Sequence, residues 1–358
     1  MVPNRNRIYN EVAMEDHKQT EITQPQPLLD DQGHLLNPGY CKRNHYIYNK
    51  ENIKKHRWRI KEWDYYMISD GRYMTELNFY NISIFAAMIA DVIDLKTGKH
   101  YNDLVMEPSY PDKYKMSHAA DKPFQFSYYK FGRKAEFITD ASSHKLFFKG
   151  KYRRKDFKID ITGKRLPDQE SITVATPFKN PHCFFYTQKL NCIQAGGTIK
   201  IAGQTIKYDP KDTYMVMDWG RGVWPWRNIW YWSNGSTVID GKLFGFELTW
   251  GFGDESAATE TAVFYDGKCH KIGRVSLEKE PEKEGWMKPW HFISEDGRLD
   301  LTLTPGYHRS NGLIFLKLIG MKSNQVFGKF NGSVLLDDGT RIEVKEMPAF
   351  AEKVYNCW

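Results

Sequence analysis

Apolar residues occupy every second position in several stretches of this chain. Along residues 244–250 the apolar side chains share one face of an extended segment, and Glu247 lies on the other face. The apolar members are Phe244, Phe246, Leu248 and Trp250. The same alternation runs through 124–128 and 77–82, and it predicts strands with one buried face. Over 84–92, which is rich in Ala and Met, the pattern fits a helix and a strand equally well.

Short turns separate the strands of the second half of the chain. The dipeptide Asp-Gly favours two-residue hairpin turns, and in this half of the chain it occurs four times between alternating or β-branched runs. These dipeptides are Asp240-Gly241, Asp266-Gly267, Asp296-Gly297 and Asp338-Gly339. Long helical periodicity is scarce. The sequence therefore predicts an all-β fold built from antiparallel hairpins.

A weak internal repeat divides the chain into two parts. A hairpin pattern that begins at Gly197 leads to Asp218 with an adjacent tryptophan, and a similar pattern that begins at Gly332 leads to Glu352 and a final tryptophan. Two similar β domains in tandem would produce this repeat, and the length is sufficient for both. The predicted segments are a mobile polar tail, 1–27, a first β-barrel domain, 28–227, and a second β-barrel domain, 228–358.

Composition limits the classes of protein. The five cysteines are odd in number and include no Cys-x-x-Cys pair, which indicates reduced thiols. No apolar run is long enough for a secretory signal or a membrane helix, so we expect a cytoplasmic protein without stable membrane insertion. The formal charge is +7, and basic residues concentrate at 54–59 and 149–155. We interpret these clusters as strand edges and expect no nucleic-acid partner. The oligomeric state stays open.

Aromatic residues are concentrated in 218–232, which holds five of the eleven tryptophans together with an acid and an arginine. The five are Trp219, Trp224, Trp226, Trp230 and Trp232. On a strand Trp230 and Trp232 share a face, and Trp224 and Trp226 do likewise on either side of a proline that predicts a bend. The pattern predicts a curved aromatic wall, closed by later tryptophans at positions 250, 286 and 290. A packed aromatic core without a ligand explains the same cluster.

Asp218 is the candidate catalytic residue of this segment. Burial against indole rings raises the pKa of a carboxylic acid, so a neutral Asp218 can donate a proton, and the rings can stabilise a cation at roughly 0.5–2 kcal/mol per contact. Arg221 provides two alternatives. It can form a structural ion pair with Asp218, which opposes proton donation, or it can itself bind an anionic ligand group.

Other polar candidates are fewer. Glu260 lies just before a predicted strand and is the candidate second catalytic carboxylate, with a solvated strand start as the alternative. Glu247 lies on the polar face of its strand, where it would line a wet interior or the surface. His182 and Tyr186 share a face of a predicted strand, 182–190. Phosphate-binding, nucleophile-elbow and zinc-helix motifs are missing from the sequence, so we expect neither a cofactor nor a metal.

Several blocks of sequence resemble the signature blocks of the family called domain of unknown function 2804. They are Asn37-Pro38-Gly39, Lys61-Glu62-Trp63-Asp64-Tyr65-Tyr66, Tyr186-Thr187-Gln188-Lys189, Asp218 to Trp226, Gln325-Val326-Phe327-Gly328 and Ala349-Phe350-Ala351-Glu352. More distantly, Asp218-x-x-Arg221 followed by Trp230-x-Trp232 is similar to the central motif of carotenoid hydratases and their lipocalin-like relatives. That resemblance implies two calycin-like antiparallel β-barrels and acid-catalysed hydratase, cyclase or pericyclic chemistry on greasy substrates.

Three functions fit these observations. The first is a cofactor-independent acid-base enzyme that acts on an apolar small molecule, with isoprenoids among the candidates. The second is a lipocalin-like protein that binds such a molecule without catalysis. The third is a carbohydrate-active protein that uses paired carboxylates and tryptophan platforms. The predicted ligand-binding residues are Arg221, Trp219, Trp224, Trp226, Trp230, Trp232, Trp250, Tyr186, His182 and Glu247, beside the catalytic candidates Asp218 and Glu260.

Overall fold

A computed structural model describes residues 19–315 and 319–358, and it describes side chains except in 313–319. The prediction of an all-β fold is confirmed, because nearly every regular element is an extended strand. Residues 84–92, where helix and strand competed, fall almost entirely within a strand. The strands are β1 (Gln26–Pro27), β2 (Gly39–Cys41), β3 (Tyr46–Ile47), β4 (Ile60–Ser69), β5 (Tyr73–Asn81), β6 (Phe85–Asp94), β7 (Lys99–Pro108), β8 (Phe124–Lys130), β9 (Arg133–Thr139), β10 (Ser143–Tyr152), β11 (Lys155–Lys164), β12 (Ile172–Pro177), β13 (Phe184–Ile201), β14 (Gln204–Tyr208), β15 (Tyr214–Val223), β16 (Arg227–Ile239), β17 (Lys242–Trp250), β18 (Ala262–Tyr265), β19 (Lys268–Lys271), β20 (Val275–Leu277), β21 (Trp290–Ser294), β22 (Leu299–Phe315), β23 (Ile319–Leu335) and β24 (Arg341–Cys357).

Helical structure in the described residues is short. It consists of two 3-10 turns, Lys50–Asn52 and Arg57–Arg59, and one α-helical turn, α1 (Pro281–Glu284). No helix in the described part of the chain is both long and apolar enough to span a membrane.

The first large sheet is a nearly closed barrel. Its strands follow the order β7-β6-β5-β4-β15-β13-β11-β10-β9-β8, and β2, β12 and β14 pair beside this path. The gap between the end strands β7 and β8 is bridged by contacts of Asp103 on β7. Its carboxylate accepts a 2.6 Å hydrogen bond from the backbone amide of Lys151 and forms a 3.2 Å ion pair with Arg133. The interior is filled by alternate residues of each strand, such as Phe79, Phe148 and Trp219.

The second large sheet is an antiparallel half-barrel in the order β19-β18-β17-β16-β24-β23-β22-β21-β20. All four predicted Asp-Gly turns join consecutive strands of this sheet. The apolar face predicted for 244–250 is confirmed, because Phe244, Phe246 and Leu248 lie in the core of the half-barrel with Trp250 against it. The tandem β domains are therefore confirmed, with the second less closed than the barrel that the sequence predicted.

The chain passes from one sheet to the other between Val223 and Arg227. The predicted boundary at Arg227 lies at this crossing and stays a prediction. Residues 1–18 of the predicted tail lie outside the described residues. After them, the Thr20 amide donates to the Ala257 carbonyl and the Ile22 amide to the Tyr40 carbonyl. The end of the predicted tail is thus bound to parts of both domains.

The outer face of the first barrel packs against the second sheet. An apolar cluster joins them, with members from both sheets. Its buried members are Tyr65, Met67, Met74, Ile93, Val216, Trp232, Phe327 and Phe350. Residues that would face solvent in an isolated barrel are therefore buried between the domains.

Replacement of Gly220 by Ala should destabilise this face of the barrel. Trp63 lies directly opposite Gly220 across the β4 and β15 pair, and a Cβ at Gly220 would overlap the Trp63 indole. Overpacking of this kind costs about 1–3 kcal/mol. Thermal and urea unfolding of Gly220→Ala should show this loss. Gly306→Ala is the control, because a Cβ there meets only the Phe327 carbonyl at an ordinary 3.6 Å. Equal stability of the two variants would contradict the packing argument.

Candidate functional site

Cavities of two different sizes lie between the sheets in the described part of the chain. The larger, of about 760 Å³, has Arg72, Lys211 and Lys329 among its charged residues, and all three are exposed to solvent. The smaller, of about 490 Å³, is lined by five carboxyl groups, four of which belong to buried residues. The five are Glu76, Asp91, Asp218, Glu260 and Glu352. Burial of charge is costly unless it serves contacts or chemistry, so the smaller, central cavity is the candidate site.

One row of side chains on the outer face of the first barrel forms one wall of the central cavity. Each member lies directly opposite the next on the neighbouring strand. From β7 to β13 the row is Leu104, Ile89, Asn78, Tyr65, Asp218 and Lys189. It begins with an exposed leucine and ends with a buried ion pair, so the wall changes from apolar to charged along its length.

A second row, on the half-barrel, forms the facing wall. Its members are also direct neighbours in register, from β22 to β17. They are Arg309, Gln325, Glu352, Trp232 and Thr249. The two rows meet where the Lys189 ammonium lies 4.7 Å from the ring centre of Trp232 and the Tyr65 ring packs edge-on against that indole.

Lys189 is the charged centre of the site. Its Nζ lies 2.7 Å from Asp218 Oδ1, 3.3 Å from Glu260 Oε2 and 4.0 Å from Glu247 Oε1. Burial opposes the charge on Lys189, yet the three carboxylates together raise its pKa. Although Glu260 Oε2 lies within ion-pair distance, it forms no hydrogen bond with Lys189 in the described structure. Glu260 is therefore a charge partner of Lys189 that is held loosely.

Glu247 lies behind this centre, on the side of Trp232 away from the cavity. The Trp232 indole N–H donates to Oε1, and the Asn234 and Asn191 amides donate to Oε2 at 2.7 and 3.4 Å. Burial raises the pKa of Glu247 to about 8. Because three donors face a fully buried carboxyl group, Glu247 fixes the Trp232 ring and the two asparagines in place.

Glu352 is the carboxyl group best suited to exchange a proton. Its Oε2 accepts hydrogen bonds of 2.9 Å from Gln325 and 3.3 Å from Ser323. Burial raises its pKa to about 7, while the Gln325 bond opposes the shift. No cation lies within ion-pair distance of Glu352 among the described residues. No neighbouring positive charge therefore favours the ionised form of this carboxyl group.

Arg309 holds the remaining acids. Its guanidinium lies 3.5 Å from Glu76 and forms a close ion pair with Asp91. Asp91 also contacts the His100 imidazole at 2.9 Å. Burial raises the pKa of Glu76 to about 7 against the influence of Arg309. The pKa of Asp91 is lowered, because hydrogen bonds from His100 and the charge of Arg309 outweigh its burial.

Aromatic side chains close the other end of the cavity, and we call them the aromatic wall. Trp224 packs edge-on against Trp63 and Phe252, with ring centres 5.1 and 4.6 Å apart. Trp230 packs against the same Phe252 at 5.4 Å. The members that line the cavity are Trp63, Phe185, Trp224, Trp230 and Phe252. The wall surrounds apolar volume beside the acids.

The expected ion pair between Asp218 and Arg221 is wrong. Side chains three apart on a strand point to opposite faces, so Asp218 faces the central cavity while Arg221 points into the first barrel. There Arg221 is fully buried and lies 2.9 Å from Asp64. Its guanidinium also donates to the carbonyls of Ser117 and Trp63. Arg221 thus crosslinks the barrel interior.

Several predicted ligand-binding residues lie away from the central cavity. Trp219 and Tyr186 are in the first barrel, where the Trp219 indole donates to Ser117 and the Tyr186 hydroxyl to Asn44. His182 lies in the loop before β13, not on the strand, and its Nε2 is 3.3 Å from that of His34. Their role in ligand binding stays a prediction without support from this arrangement.

The predicted aromatic wall is confirmed in part. Trp230 and Trp232 share a face and line the cavity, and the strand is interrupted around Pro225 as predicted. Trp226 does not join Trp224, because the interruption leaves it at the surface near Trp58. Trp250, stacked on Tyr231, packs against the half-barrel core with residues 286 and 290. The wall is closed instead by aromatic residues of the first barrel and by Phe252.

Five functional residues were missed by the sequence interpretation. Lys189 is at an odd-numbered position of β13, whose side chains point out of the barrel. The sequence prediction considered only the even-numbered positions, whose side chains fill the barrel. Glu352 was noticed only as the end of an internal repeat and as a member of a family signature block. Tyr65 also lies in such a block, while Glu76 and Arg309 stand among alternating residues with no local motif. The place of all three in the site depends on which outer face the second domain covers. Within the described residues, no group of three or more His, Cys, Asp or Glu side chains is placed to hold a metal ion.

The fold and this site define a two-domain antiparallel β protein with a charged and aromatic cavity between its domains. The chain belongs to the family named domain of unknown function (DUF2804), whose sequence profile matches residues 19–358. No curated protein matches the sequence.

Solved structures of other proteins resemble the chain. The structure of CghA with Sch210972 has a TM-score of 0.53 and 10% sequence identity, over 83% of this chain and 88% of that chain. The structure of kievitone hydratase from Nectria haematococca has a TM-score of 0.47 and 10% identity over the same shares. The CghA likeness shows that the two proteins share a fold.

Replacement of Lys189 by Met should destabilise the protein strongly at neutral pH. The change removes the ammonium partner of three carboxyl groups, of which Glu247 and Glu260 are buried. Loss of one member of a buried ion pair costs about 3–5 kcal/mol. Urea unfolding measures the free energy of unfolding. Lys200→Met, an exposed lysine on the same strand, is the control. If both variants unfold at the same urea concentration, Lys189 is not the charged centre that we describe.

Glu352→Gln should become more stable relative to the wild type as pH rises. A carboxyl group with a raised pKa binds more protons in the folded state, so its stabilising contribution is complete below its unfolded pKa and declines as pH rises through about 7. Glutamine does not titrate. The difference in free energy of unfolding should therefore move by about 3 kcal/mol in favour of the variant between roughly pH 5 and pH 8.

Thermal unfolding over this pH range measures the effect. Glu343→Gln, on the same strand but exposed in an ion pair with Arg341, is the matched control and should follow the wild type at every pH. A constant difference between Glu352→Gln and the wild type would contradict the raised pKa.

Proposed function

We propose that this protein is a cofactor-independent acid-base enzyme of the hydratase, cyclase or isomerase type. Its substrate is a small, mainly apolar molecule bound in the central cavity, with isoprenoids among the candidates. The observation that carries this proposal is the position of Glu352. It is a buried carboxyl group of near-neutral pKa that lines a cavity with an aromatic wall.

Glu352 acts as the proton donor. An acid whose pKa lies near the working pH combines a useful population of the protonated form with a sufficient tendency to give up the proton. Gln325 and Ser323 donate to one carboxyl oxygen, and the Trp230 indole also hydrogen-bonds the Glu352 carboxyl group. These contacts hold Glu352 on the wall of the cavity, where the substrate would lie. Proton transfer to an alkene or to an ether or hydroxyl oxygen then generates positive charge in the cavity.

The aromatic wall stabilises that charge. Trp230 lies on the strand beside Glu352, since Trp230 pairs with Val354 and Trp232 with Glu352 itself. The face of each ring attracts a cation with roughly 0.5–2 kcal/mol. Several such contacts correspond to a tenfold or larger gain in rate, because each 1.4 kcal/mol or so is a factor of ten.

Asp218 completes the reaction on the facing wall. Glu352 gives its proton to an alkene carbon, or to a C–O oxygen that then leaves as water or an alcohol. The resulting cation either adds water, which must lose a proton, or loses a proton from a neighbouring carbon. Asp218 accepts this proton in either route, and Lys189 and Glu260 orient it. The sequence-based candidates Asp218 and Glu260 thus keep a part in the proposal, but Glu352 replaces Asp218 as the donor.

The fold of the related structure supports this assignment. The CghA structure, with a TM-score of 0.53, was solved with Sch210972, which agrees with a fold that holds a bound compound. Two other functions, a non-catalytic binder and a carbohydrate-active protein, give different outcomes in the same experiment.

Mass spectrometry of an organic extract from the purified protein is the first test. A compound in stoichiometric amount is then incubated with the wild type, with Glu352→Gln and with the matched control Glu343→Gln. We expect the wild type and the control to convert it by gain or loss of water or by isomerisation, and Glu352→Gln to lose about 100-fold or more in rate.

Other outcomes would contradict the proposal. Binding by all three proteins without conversion would identify a carrier. Conversion by Glu352→Gln at the wild-type rate would exclude Glu352 as the donor. A glycan in the extract, or hydrolysis in a glycan screen, would favour the carbohydrate-active alternative.

A further inference from the structure

Two exposed tryptophans lie side by side on the surface of the protein. Trp58 is 55% exposed and Trp226 is 37% exposed, although a tryptophan side chain is mostly buried in a folded protein. Their ring centres lie 6.3 Å apart, so the two rings form one aromatic surface. Isolated exposed apolar residues are common, but adjoining ones indicate contact with a partner.

Cations lie in the same segments as these rings. Four lysine and arginine side chains there are exposed, and none of them lies within ion-pair distance of a carboxylate in the described part of the chain. They are Lys54, Lys55, Lys179 and Arg227. The Asp112 carboxylate is already engaged, because the Arg57 guanidinium lies 2.9 Å from it. The surface is therefore positive as well as aromatic.

Three segments of the chain form this surface. Residues 54–59 form a loop and a 3-10 turn before β4, so the interpretation of this basic cluster as a strand edge is wrong. The ring of Trp58 contacts that of Trp226, which lies where the chain crosses between the sheets. Asn180 Nδ2 lies 3.4 Å from His56 Nε2 and connects the loop that contains Lys179. We call the combined surface the basic tryptophan patch, and its members are Lys54, Lys55, Trp58, Lys179, Trp226 and Arg227.

The other basic cluster, 149–155, has a different composition. It lies at the turn between β10 and β11 and contains no tryptophan. Its Lys151 forms an ion pair with Asp156, so part of its charge is already balanced. The second cluster therefore provides a control that is also basic but has no tryptophan pair.

Tryptophan combined with unbalanced positive charge fits the surface of an anionic membrane. The amphipathic ring of tryptophan favours the headgroup region, where apolar and wet surroundings meet. The negative potential of anionic lipids attracts lysine and arginine, and each cation near the surface raises the affinity about fivefold. A nucleic acid would also attract the cations, but the segments of the patch contain no nucleic-acid-binding motif.

We propose that the basic tryptophan patch docks the protein on an anionic membrane surface. Trp58 and Trp226 then lie at the level of the headgroups, and the four cations face the lipid phosphate and carboxylate groups. Such docking is peripheral and requires no reaction, so it goes beyond the proposed function.

The patch lies beside the aromatic end of the central cavity. Trp224 lines the cavity and is separated from Trp226 by one residue, and Lys61, shortly after Trp58, also lines it. The Lys61 ammonium lies 5.8 Å from the ring centre of Trp224. Apolar molecules concentrate in membranes because water excludes them, so a docked protein would meet an apolar ligand near this end. This advantage rests on the proposed function, whereas the exposed rings and cations do not.

Vesicle flotation tests the proposal with the whole chain. The protein is mixed with vesicles of phosphatidylcholine alone or with vesicles that also contain about 30% phosphatidylserine, which supply the negative potential. We expect binding to the anionic vesicles only. Binding should be lost at about 0.5 M salt, because the interactions of exposed charges are then screened.

Two variants assign this binding to the patch. The double variant Lys54→Gln, Lys55→Gln should bind anionic vesicles about 20-fold more weakly, since two cations of about fivefold each are removed. Trp58→Ser should bind about tenfold more weakly, which is the scale of withdrawing one large apolar side chain from its contact. All three positions are exposed or half-exposed, so both variants should unfold at the wild-type temperature.

Matched controls make the test specific. The double variant Lys149→Gln, Lys155→Gln removes two exposed charges from the other basic cluster, and Tyr129→Ser removes a ring that is 75% exposed. Both should bind like the wild type. Equal binding of the wild type to neutral and anionic vesicles, no binding to either, or an equal loss in variants and controls would each overturn the proposal. Binding of a single-stranded oligonucleotide without binding of vesicles would overturn it in favour of a nucleic-acid partner.

Discussion

The buried ammonium of Lys189 is the constraint on which the interface between the domains depends. Lys189 and Asp218 belong to the first barrel, whereas Glu247 and Glu260 belong to the second domain. The charge of one lysine therefore balances carboxylates from both sides. A buried cation with such partners is stable only when the two sheets meet in one register, so the ion pairs fix how the outer face of the barrel is covered.

This arrangement also divides the acids by role. Lys189 and Arg309 engage Asp218 and Asp91 closely, whereas Glu352 receives hydrogen bonds from neutral groups. Burial without a nearby cation raises the pKa of a carboxyl group, and a close cation opposes the shift. Groups of similar chemistry in one cavity thus differ in their pKa, and the placement of two cations contributes to the difference.

Much of the fold could be predicted from local patterns. Alternation and Asp-Gly turns depend on residues close in sequence, so they predicted strands, hairpins and the buried face of 244–250 correctly. The site could be predicted only in part. Trp230 and Trp232 were found because two-residue spacing fixes their shared face. Lys189 and Glu352 were missed as site residues, because the sequence does not show which outer face is covered by a distant domain. The Asp218 and Arg221 pair failed for a simpler reason, since odd spacing on a strand separates two side chains by a whole sheet.

The position of the central cavity between two sheets explains why ionisable groups can be so numerous in its walls. Inside a single barrel, every buried polar group must find its partner within one small core, as Arg221 does with Asp64. A cavity between two sheets takes one row of side chains from each, so an acid on one wall can face a cation or an aromatic ring on the other. The cost of these buried charges is a loss of stability that a purely apolar interface would avoid. Sites that retain such a cost are commonly those where function requires it, and this is the physical reason to look for chemistry between the domains rather than inside either barrel.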